Sequence, residues 1–205
     1  MVPQRYQVKL FEKGAPEVSL AEIVTVFHRW IQQKTIDEPL IDVADYKHVA
    51  GGPGILLVGF ESSYAFDIGE GRRGLAYVRK RNQGTDLSES LAASLGRLAV
   101  AALLLQSAPA MQGRLSFDPA ELQITFLDRL TSPNSEDSFR SVVSEVEGAL
   151  GRLEGGGSAV ISRIADNVRR PLRLHVRIGG DVSLRQLARL ARTGAEDHAE
   201  GEVVR

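Results

Sequence analysis

The stretch VKLFEKGAPEVSLAEIVTVFHRW, residues 8–30, decides the expected fold because a second stretch repeats its pattern later in the chain. That second stretch, ITFLDRLTSPNSEDSFRSVVSEV, covers residues 124–146 and aligns with the first without a gap, so that Val8 matches Ile124. Each stretch reads as a strand, a charged turn and an amphipathic helix that begins after a serine cap. A duplication explains this match. The alternative is a chance similarity between two ordinary strand–turn–helix units.

The rest of the chain supplies further strands and helices around this repeat. Apolar runs and alternation predict five more strands, at residues 55–61, 64–68, 75–81, 159–164 and 172–178. Apolar residues at helical spacing predict two more helices, at residues 87–107 and 184–192. A long connection after the first helix contains LIDVADYKHV, which is able to supply one further strand.

The order of these elements indicates an α+β fold with a mainly antiparallel sheet and helices packed on it. The first part resembles a split βαβ, ferredoxin-like arrangement with an extra strand, and each half also reads as a duplicated β-α-β-β-α unit. We expect one globular body, in which residues 1–116 form an N-terminal unit and residues 117–193 pack on it as a C-terminal unit. Residues 194–205 are expected to form a polar tail.

Composition excludes several classes of function. The 205 residues include no cysteine, so disulfides, thiolate zinc sites, iron–sulfur clusters and cysteine nucleophiles are excluded. The formal net charge of -1 leaves no overall basic field for nucleic acid. The 4 histidines are scattered, and neither a metal-binding spacing nor a catalytic serine motif occurs. We therefore expect no metal, no cofactor and no catalytic residue.

The helix predicted at residues 87–107 contains LAVAALLL, the most apolar run of the chain. This run is shorter than the ~20 apolar residues of a membrane span, and the N-terminus lacks the apolar core of a signal peptide. We therefore expect a cytoplasmic protein without a membrane span. The second half of the helix is apolar on nearly every side, so another layer or a second subunit must cover it. A homodimer or a complex with a partner protein is expected.

A glycine-rich loop, YKHVAGGPG at residues 46–54, is the first candidate binding site. Phosphate-binding loops lead into a helix, whereas a strand follows here and Pro53 lacks an amide hydrogen, so a tight turn is the favoured interpretation. The alternative is a site for a small molecule or an anion. Its residues would be Asp45, Lys47, His48, Gly51, Gly52 and Gly54.

An arginine-rich region at residues 163–192 is the second candidate. PLRLHVRI alternates, so its apolar residues face inward and its basic residues face outward, and the following helix carries arginines on one face. Together they form a candidate surface for nucleic acid or an acidic partner: Arg173, His175, Arg177, Arg185, Arg189 and Arg192. Few aromatic residues accompany them, so base stacking lacks support and a solvated face is the favoured interpretation.

Residues 45–81 resemble a family of conserved hypothetical bacterial proteins. The pattern of that family is His-Val-x-Gly-Gly-Pro-Gly before an apolar strand, followed by a strand that contains Gly-Leu-x-Tyr. In this chain the matching residues are His48, Val49, Gly51, Gly52, Pro53, Gly54, Gly74, Leu75 and Tyr77. The family has no assigned activity, so the resemblance implies neither a substrate nor a catalytic residue, and it makes the loop a place to test.

The leading hypothesis is a non-catalytic soluble protein that self-associates or serves as an accessory subunit of a larger assembly. Two alternatives remain open. One is a small-molecule enzyme or anion-binding protein that uses the glycine-rich loop. The other is a binder of nucleic acid or of an acidic partner that uses the arginine-rich region.

Overall fold

The computed structural model describes residues 3, 5–14, 17–80, 86–154 and 158–192, the last of these without its side chain. Within these ranges the chain forms an α+β fold, as predicted, and the predicted polar tail lies outside them. The strands are β1 (Tyr6–Glu12), β2 (Leu40–Asp45), β3 (Ile55–Gly59), β4 (Ser62–Asp67), β5 (Gly74–Arg79), β6 (Phe117–Phe126), β7 (Ala159–Arg163) and β8 (Leu172–Ile178). The helices are α1 (Leu20–Gln33), α2 (Leu87–Ser107), α3 (Glu136–Gly151) and α4 (Leu184–Arg189), with short 3₁₀ turns at Gly69–Gly71 and Leu190–Arg192.

One sheet contains all of these strands, in the order β2-β3-β4-β5-β1-β6-β8-β7, and every neighbouring pair is antiparallel. At the centre of the sheet β1 pairs with β6, and Val8 lies opposite Ile124. Val8 and Ile124 also match each other in the sequence repeat. Two equivalent residues that lie opposite each other in an antiparallel pair are related by an approximate twofold axis between the strands. The strands on either side follow matching orders, β1-β5-β4 in one half and β6-β8-β7 in the other.

Each half contains the β-α-β-β-α order predicted from the sequence. The first half consists of β1, α1, β4, β5 and α2, and the second consists of β6, α3, β7, β8 and α4. The β2–β3 hairpin is additional to the first half. As a result, α1 joins β1 to a parallel β2 across three intervening strands, whereas α3 joins β6 to a parallel β7 across one. The split βαβ of the first part is therefore wider than a ferredoxin-like one.

Two strands refine the sequence-based boundaries. The long connection after α1 does hold a strand, because β2 occupies Leu40–Asp45 and forms one edge of the sheet. β6 begins at Phe117, seven residues before Ile124, where the repeated stretch begins, although Pro119 lies within it and has no N–H to donate. The proline is accommodated because the pairing of β1 with β6 is irregular at this end.

The helices pack on one face of the sheet, and the core lies between them and the strands. Tyr6, Val8 and Leu10 of β1 are buried there, and the Tyr6 hydroxyl bonds to Ser90 Oγ (2.6 Å) and Ser94 Oγ (3.0 Å) of α2. The alternate residues of each strand point to the opposite side, which we call the helix-free face.

The chain itself covers most of α2. The sheet lies against one side of the helix, and α3, α4 and the 3₁₀ turn after α4 lie against others. Leu98 and Leu105 are fully buried, and Val100 stays 39% exposed. By length and composition α2 is apolar enough to cross a membrane, but 67% of its most apolar window is buried within the described protein. The expected covering layer is thus part of the same chain, and α2 gives no reason for a second subunit.

Candidate functional site

The candidate site begins with two buried tyrosines on the helix side of the sheet. β4 and β5 place Tyr64 directly opposite Tyr77, and their rings meet edge to face with centroids 5.2 Å apart. Aromatic pairs are favoured at such cross-strand positions. The Tyr77 hydroxyl accepts a hydrogen bond from Arg97 Nη1 of α2 at 3.1 Å. Strand pairing and helix packing therefore bring together residues from three elements.

The crossing of α2 with the 3₁₀ turn after α4 fixes Arg97 beside these tyrosines. The two elements touch at Gly96, where an added Cβ would lie 2.0 Å from the backbone nitrogen of Ala191. A glycine is required because any side chain would collide with backbone that has no room to move. Arg97 follows Gly96 directly, so the same contact holds the arginine in place and makes Ala191 part of the wall around it.

A short segment between α1 and β2, residues 35–39, forms the opposite wall. Lys34 ends α1 in the left-handed conformation with φ 50°, which turns the chain out of the helix. Glu38 ties the segment to the start of β4. Its Oε1 accepts hydrogen bonds from the backbone N–H groups of Glu61 (3.1 Å) and Ser62 (2.7 Å), and its Oε2 accepts one from Ser62 Oγ. The Glu38 carboxylate is therefore engaged within the protein.

A cleft of about 450 Å³ lies between residues 35–39 and α2. Its lining is partly apolar, from Ile36, Pro39, Val100, Ala101 and Ala191, and partly polar, from Tyr64, Arg97 and acidic residues at the rim. Residues 35–39 also border a second cavity, of about 590 Å³, which reaches Trp30 and Leu40. Concave volumes of this size accommodate small organic molecules.

The Tyr64 hydroxyl is the unusual group in this cleft. The residue is only 2% exposed, and among the described residues its hydroxyl has no hydrogen-bond partner. The hydroxyl is not a fully enclosed atom, so it is exposed to the cleft, where a water molecule or a ligand is able to accept its hydrogen bond. Burial, together with the nearby Tyr77 and Glu38, raises the pKa of Tyr64, so the group stays protonated and is able to donate.

Arg97 is the second open group of the cleft. In the part of the chain that the structure describes, it forms no ion pair with a carboxylate, and its hydrogen bond goes to Tyr77. Arg97 is an exposed residue, and a guanidinium has five N–H donors, so its other N–H groups face solvent and are available to a ligand. The cleft thus presents O–H and N–H donors beside apolar walls, which is an arrangement suited to an acceptor group on an apolar molecule.

The helix-free face carries a denser set of charges, but these pair with one another. Arg72 donates to both carboxylate oxygens of Glu121, at 2.8 and 3.0 Å, and His175 Nε2 lies 2.6 Å from Glu121 Oε1. The hydrogen bond from Arg72 is the main reason why the pKa of Glu121 falls to about 2. Lys9 pairs with Asp67 at 3.2 Å, and burial lowers the pKa of Lys9. Charges paired in this way hold strands and loops together and leave little capacity for a ligand.

The residues of the arginine-rich region do not form one surface. Three of them lie on β8 on the helix-free face, namely Arg173, His175 and Arg177, while Arg185 and Arg189 lie on α4, across the sheet. The side chain of Arg192 lies outside the described residues. The sheet separates the two groups because alternate β8 residues point away from the core, whereas α4 packs over the core against α2.

Acidic partners also neutralise much of this region. Arg173 is buried, not solvated, and pairs with Glu70 and, at 2.5 Å, with Asp166. Arg189 pairs with Glu154 at 2.8 Å. A surface whose arginines already have carboxylate partners attracts a polyanion less strongly than the sequence suggested.

The glycine-rich loop closes the β2–β3 hairpin and projects into solvent. Its predicted site residues are Asp45, Lys47, His48, Gly51, Gly52 and Gly54, of which the first three are exposed. Lys47 Nζ pairs with Asp45 at 3.0 Å. Gly54 has φ +72°, and a Cβ there would lie 2.3 Å from the carbonyl oxygen of Phe66. The glycine therefore serves the turn and its close approach to β4, and binding of an anion by this loop stays a prediction.

The sequence analysis did not identify Glu38, Tyr64 and Arg97, which line the cleft, or Tyr77, which bonds to Arg97. The available signal was Arg97, a charged residue directly before the most apolar run of the chain. The tyrosines gave no signal, since aromatic residues in central strands ordinarily fill the core.

Comparison with protein-family models, with curated proteins and with solved structures finds no match for this chain. Among the described residues, no group of three or more His, Asp or Glu side chains is placed to hold a metal ion. The interpretation of the cleft therefore depends on its own geometry.

Proposed function

We propose that this protein is a non-catalytic binding protein that holds a small organic molecule in the cleft between α2 and residues 35–39. The observation that carries the proposal is the Tyr64 hydroxyl, which belongs to a residue only 2% exposed, opens onto the cleft and has no hydrogen-bond partner among the described residues. A ligand that accepts a hydrogen bond from this hydroxyl would satisfy it. The same ligand would cover the exposed part of Val100 on the cleft wall.

The groups around the cleft suit binding better than catalysis. Tyr64 is held protonated, Arg97 carries a fixed charge, and the Glu38 carboxylate is engaged by its neighbours. Neither Tyr64 nor Arg97 is poised to exchange a proton near neutral pH, as a general acid or base must be. The lack of cysteine suits the cytoplasmic location that we also propose.

A small-molecule screen by thermal unfolding tests this proposal with the matched variants Tyr64→Phe and Tyr46→Phe. Tyr46 is an exposed tyrosine in the loop between β2 and β3. For a compound that raises the unfolding temperature, we expect Tyr64→Phe to weaken binding by about threefold to tenfold, the effect of one hydrogen bond. Tyr46→Phe should bind as the unaltered protein does. Compounds that bind both variants equally well would contradict the proposal.

Self-association is a second candidate function, and the free edge of β2 favours it. β2 is the outermost strand of the described sheet, so one row of its backbone groups has no partner strand. Two apolar side chains beside this edge are exposed, Ile41 at 60% and Phe60 at 72%. Antiparallel pairing of β2 with the β2 strand of a second copy would extend the sheet and cover both side chains.

Size-exclusion chromatography with light scattering, over a range of protein concentrations, measures this association. We expect Phe60→Ser to shift the population towards monomer. Val168→Ser is the control, because Val168 is also an exposed apolar residue but lies between β7 and β8, at the other end of the sheet. A protein that stays monomeric at the highest concentration would remove this candidate.

A further inference from the structure

We infer that the cleft selects a monocarboxylate with an apolar body, an inference that rests on the proposed function. In this arrangement the two carboxylate oxygens accept hydrogen bonds from the Tyr64 hydroxyl and the Arg97 guanidinium. The apolar body lies along the wall formed by residues 35–39 and α2.

Among the described residues no carboxylate forms an ion pair with Arg97, although the charge of Glu38 acts on it from a greater distance. Arg72 pairs with Glu121 at 2.8 Å, and Arg114 pairs with Glu22 at 2.7 Å. Glu38 lines the same cleft as Arg97 but is tied to the start of β4 instead. Arginine matches carboxylates particularly well because its N–H groups form a planar fork. The ligand would supply a directly paired carboxylate, which the described residues do not.

The hydrogen-bond chemistry of the two open groups narrows the head group further. A protonated Tyr64 is free to donate, and a guanidinium only donates. An ammonium group has no acceptor and would face the positive charge of Arg97. An alcohol oxygen accepts a hydrogen bond but leaves that charge uncompensated. A carboxylate offers an acceptor oxygen to each donor and carries the opposite charge.

The acidic rim limits the charge of the ligand. Asp37, Glu38 and Glu61 line the cleft together with Arg97. A second negative charge on the ligand would face these carboxylates, and like charges at short range repel. A phosphate monoester, with a charge of about -1.5 to -2 near neutral pH, is therefore disfavoured relative to a carboxylate.

The walls and the volume define the rest of the molecule. Apart from the open groups and the acidic rim, most of the lining is aliphatic, including Ile36, Val100 and Ala101. A cleft of about 450 Å³ holds on the order of 15 groups of the size of water. An aliphatic or aromatic acid of about that many non-hydrogen atoms fits, and decanoate is a suitable probe.

Isothermal titration calorimetry with three probes that share one chain tests the head group: sodium decanoate, decan-1-ol and decyl phosphate. We expect decanoate to bind at least about tenfold more tightly than either other probe, the scale of one charge-assisted hydrogen bond. This comparison uses the unaltered protein and does not depend on the folding of a variant. Binding of decan-1-ol or decyl phosphate as tight as that of decanoate would overturn the inference.

Arg97→Met and Arg185→Met then locate the head group within the protein. We expect Arg97→Met to weaken decanoate binding by about tenfold to a hundredfold, because it removes a charged hydrogen bond, and to change decan-1-ol binding by less than about threefold. Arg185 is an exposed arginine on α4, away from the cleft lining, so Arg185→Met should bind decanoate as the unaltered protein does. Thermal unfolding without ligand shows whether each variant is folded.

Failure of this inference is distinguishable from failure of the proposed function. If Arg97→Met leaves decanoate affinity unchanged while Tyr64→Phe still weakens binding, the head group is wrong and the cleft remains a binding site. If none of the three probes binds, the inference is overturned. If the thermal screen also finds no compound whose binding depends on Tyr64, the proposed function falls with it.

Discussion

The two halves of the sheet share one strand order but fill the same row of side chains differently. The row that passes through Val8 and Ile124 continues to Tyr77 and Tyr64 in the first half, and to Leu174 and Arg163 in the second. In the second half Arg163 Nη1 donates to Asn134 Oδ1 at 3.1 Å, and Arg163 Nε lies 3.5 Å from a Glu136 carboxylate oxygen. Polar neighbours therefore hold this side chain, and among the described residues it lines no cleft of this kind, although Nε itself forms no hydrogen bond. In the first half the corresponding Tyr64 hydroxyl is left open.

The β2–β3 hairpin explains this difference between the halves. In the second half the chain passes from α3 to β7, which lies next to β8. In the first half it passes from α1 through residues 35–39 into the additional hairpin, and the cleft lies between that segment and α2. The proposed binding site therefore lies where the added hairpin leaves the Tyr64 hydroxyl open to a cleft, without a partner among the described residues. It does not arise on the helix-free face, where charges are most numerous but already paired.

The largest effect is expected where the helices of the two halves cross. Gly96→Ala places a Cβ 2.0 Å from the backbone nitrogen of Ala191, so α2 and the 3₁₀ turn after α4 must move apart. We expect a loss of about 3 kcal/mol or more in the free energy of unfolding, which urea denaturation measures. The cleft wall moves with the crossing, so ligand binding should weaken as well.

Gly151→Ala is the matched control for this crossing. Gly151 ends α3, and an added Cβ there meets no atom within 4 Å. Alanine has the higher helix propensity, so this variant should gain up to about 1 kcal/mol. If Gly96→Ala were as stable as Gly151→Ala, the two halves would not meet at this contact, and the wall of the cleft would need another explanation.

The next effect separates a hydroxyl that stabilises the fold from one that is available for a ligand. Tyr6→Phe removes buried bonds to Ser90 and Ser94, and we expect a loss of about 1 to 2 kcal/mol. Tyr64→Phe removes no hydrogen bond between described residues, so its stability should stay within about 0.5 kcal/mol of the unaltered protein. Urea denaturation of the two variants side by side measures the contrast. An equal loss in both would mean that Tyr64 has an internal role.

The sequence was sufficient for those parts of the fold that local pattern determines. β8 has the predicted bounds because apolar and polar residues alternate regularly along it. α2 also has the predicted bounds, because its long apolar run lies between the N-cap residue Asp86 and Pro109. The two stretches that align in the sequence contain β1 and β6, and these strands pair with Val8 opposite Ile124. The bounds of β8 and α2 depend on residues that are close in sequence, so one sequence without an alignment is enough to predict them.

The cleft was not predictable because it depends on contacts between distant residues. Tyr64, Tyr77 and Arg97 come from three elements, and nothing in their local sequence shows that one hydroxyl is satisfied and the other open. The covering of α2 was missed for the same reason, because the fit of Gly96 against Ala191 appears only in the folded chain. The burial of Arg173 depends likewise on Glu70, which lies in a distant loop.

A smaller effect tests the repeat itself at the two aligned serine caps. Ser19 Oγ accepts from the backbone of Glu22 at the start of α1, and Ser135 Oγ accepts from the backbone of Ser138 at the start of α3. We expect Ser19→Ala and Ser135→Ala each to cost about 1 kcal/mol, and the double variant about 2 kcal/mol, because the caps are far apart. Ser144→Ala, at an exposed position inside α3 where the serine side chain has no hydrogen-bond partner among the described residues, is the control and should not destabilise. A negligible effect at one serine would show that the halves begin their helices differently.

The smallest effect concerns the ion pair between Glu121 and Arg72 on the helix-free face. This pair joins the two halves, because Glu121 lies on β6 of the second half and Arg72 lies in the first half. The pKa of Glu121 in the folded protein is about 2, below the usual 4.5, mainly because Arg72 hydrogen-bonds to the carboxylate. A lowered pKa means that the ionised group stabilises the fold above about pH 4.5, and that this contribution disappears as the pH falls towards 2. Solvent screening limits it to about 1 kcal/mol.

Glu121→Gln should therefore be about 1 kcal/mol less stable than the unaltered protein at about pH 6, and the difference should vanish as the pH approaches about 2.5. Urea denaturation at several pH values measures it, with Glu154→Gln, at an exposed pair with Arg189, as the control that changes little at any pH. Decanoate affinity near neutral pH should be the same in Glu121→Gln and the unaltered protein, because this carboxylate is not among the residues that line the cleft. If Glu121→Gln instead altered ligand affinity and left stability unchanged, the paired charges on the helix-free face would belong to a binding site. The contrast between the cleft, with its open donors, and the helix-free face, with its paired charges, would then be wrong.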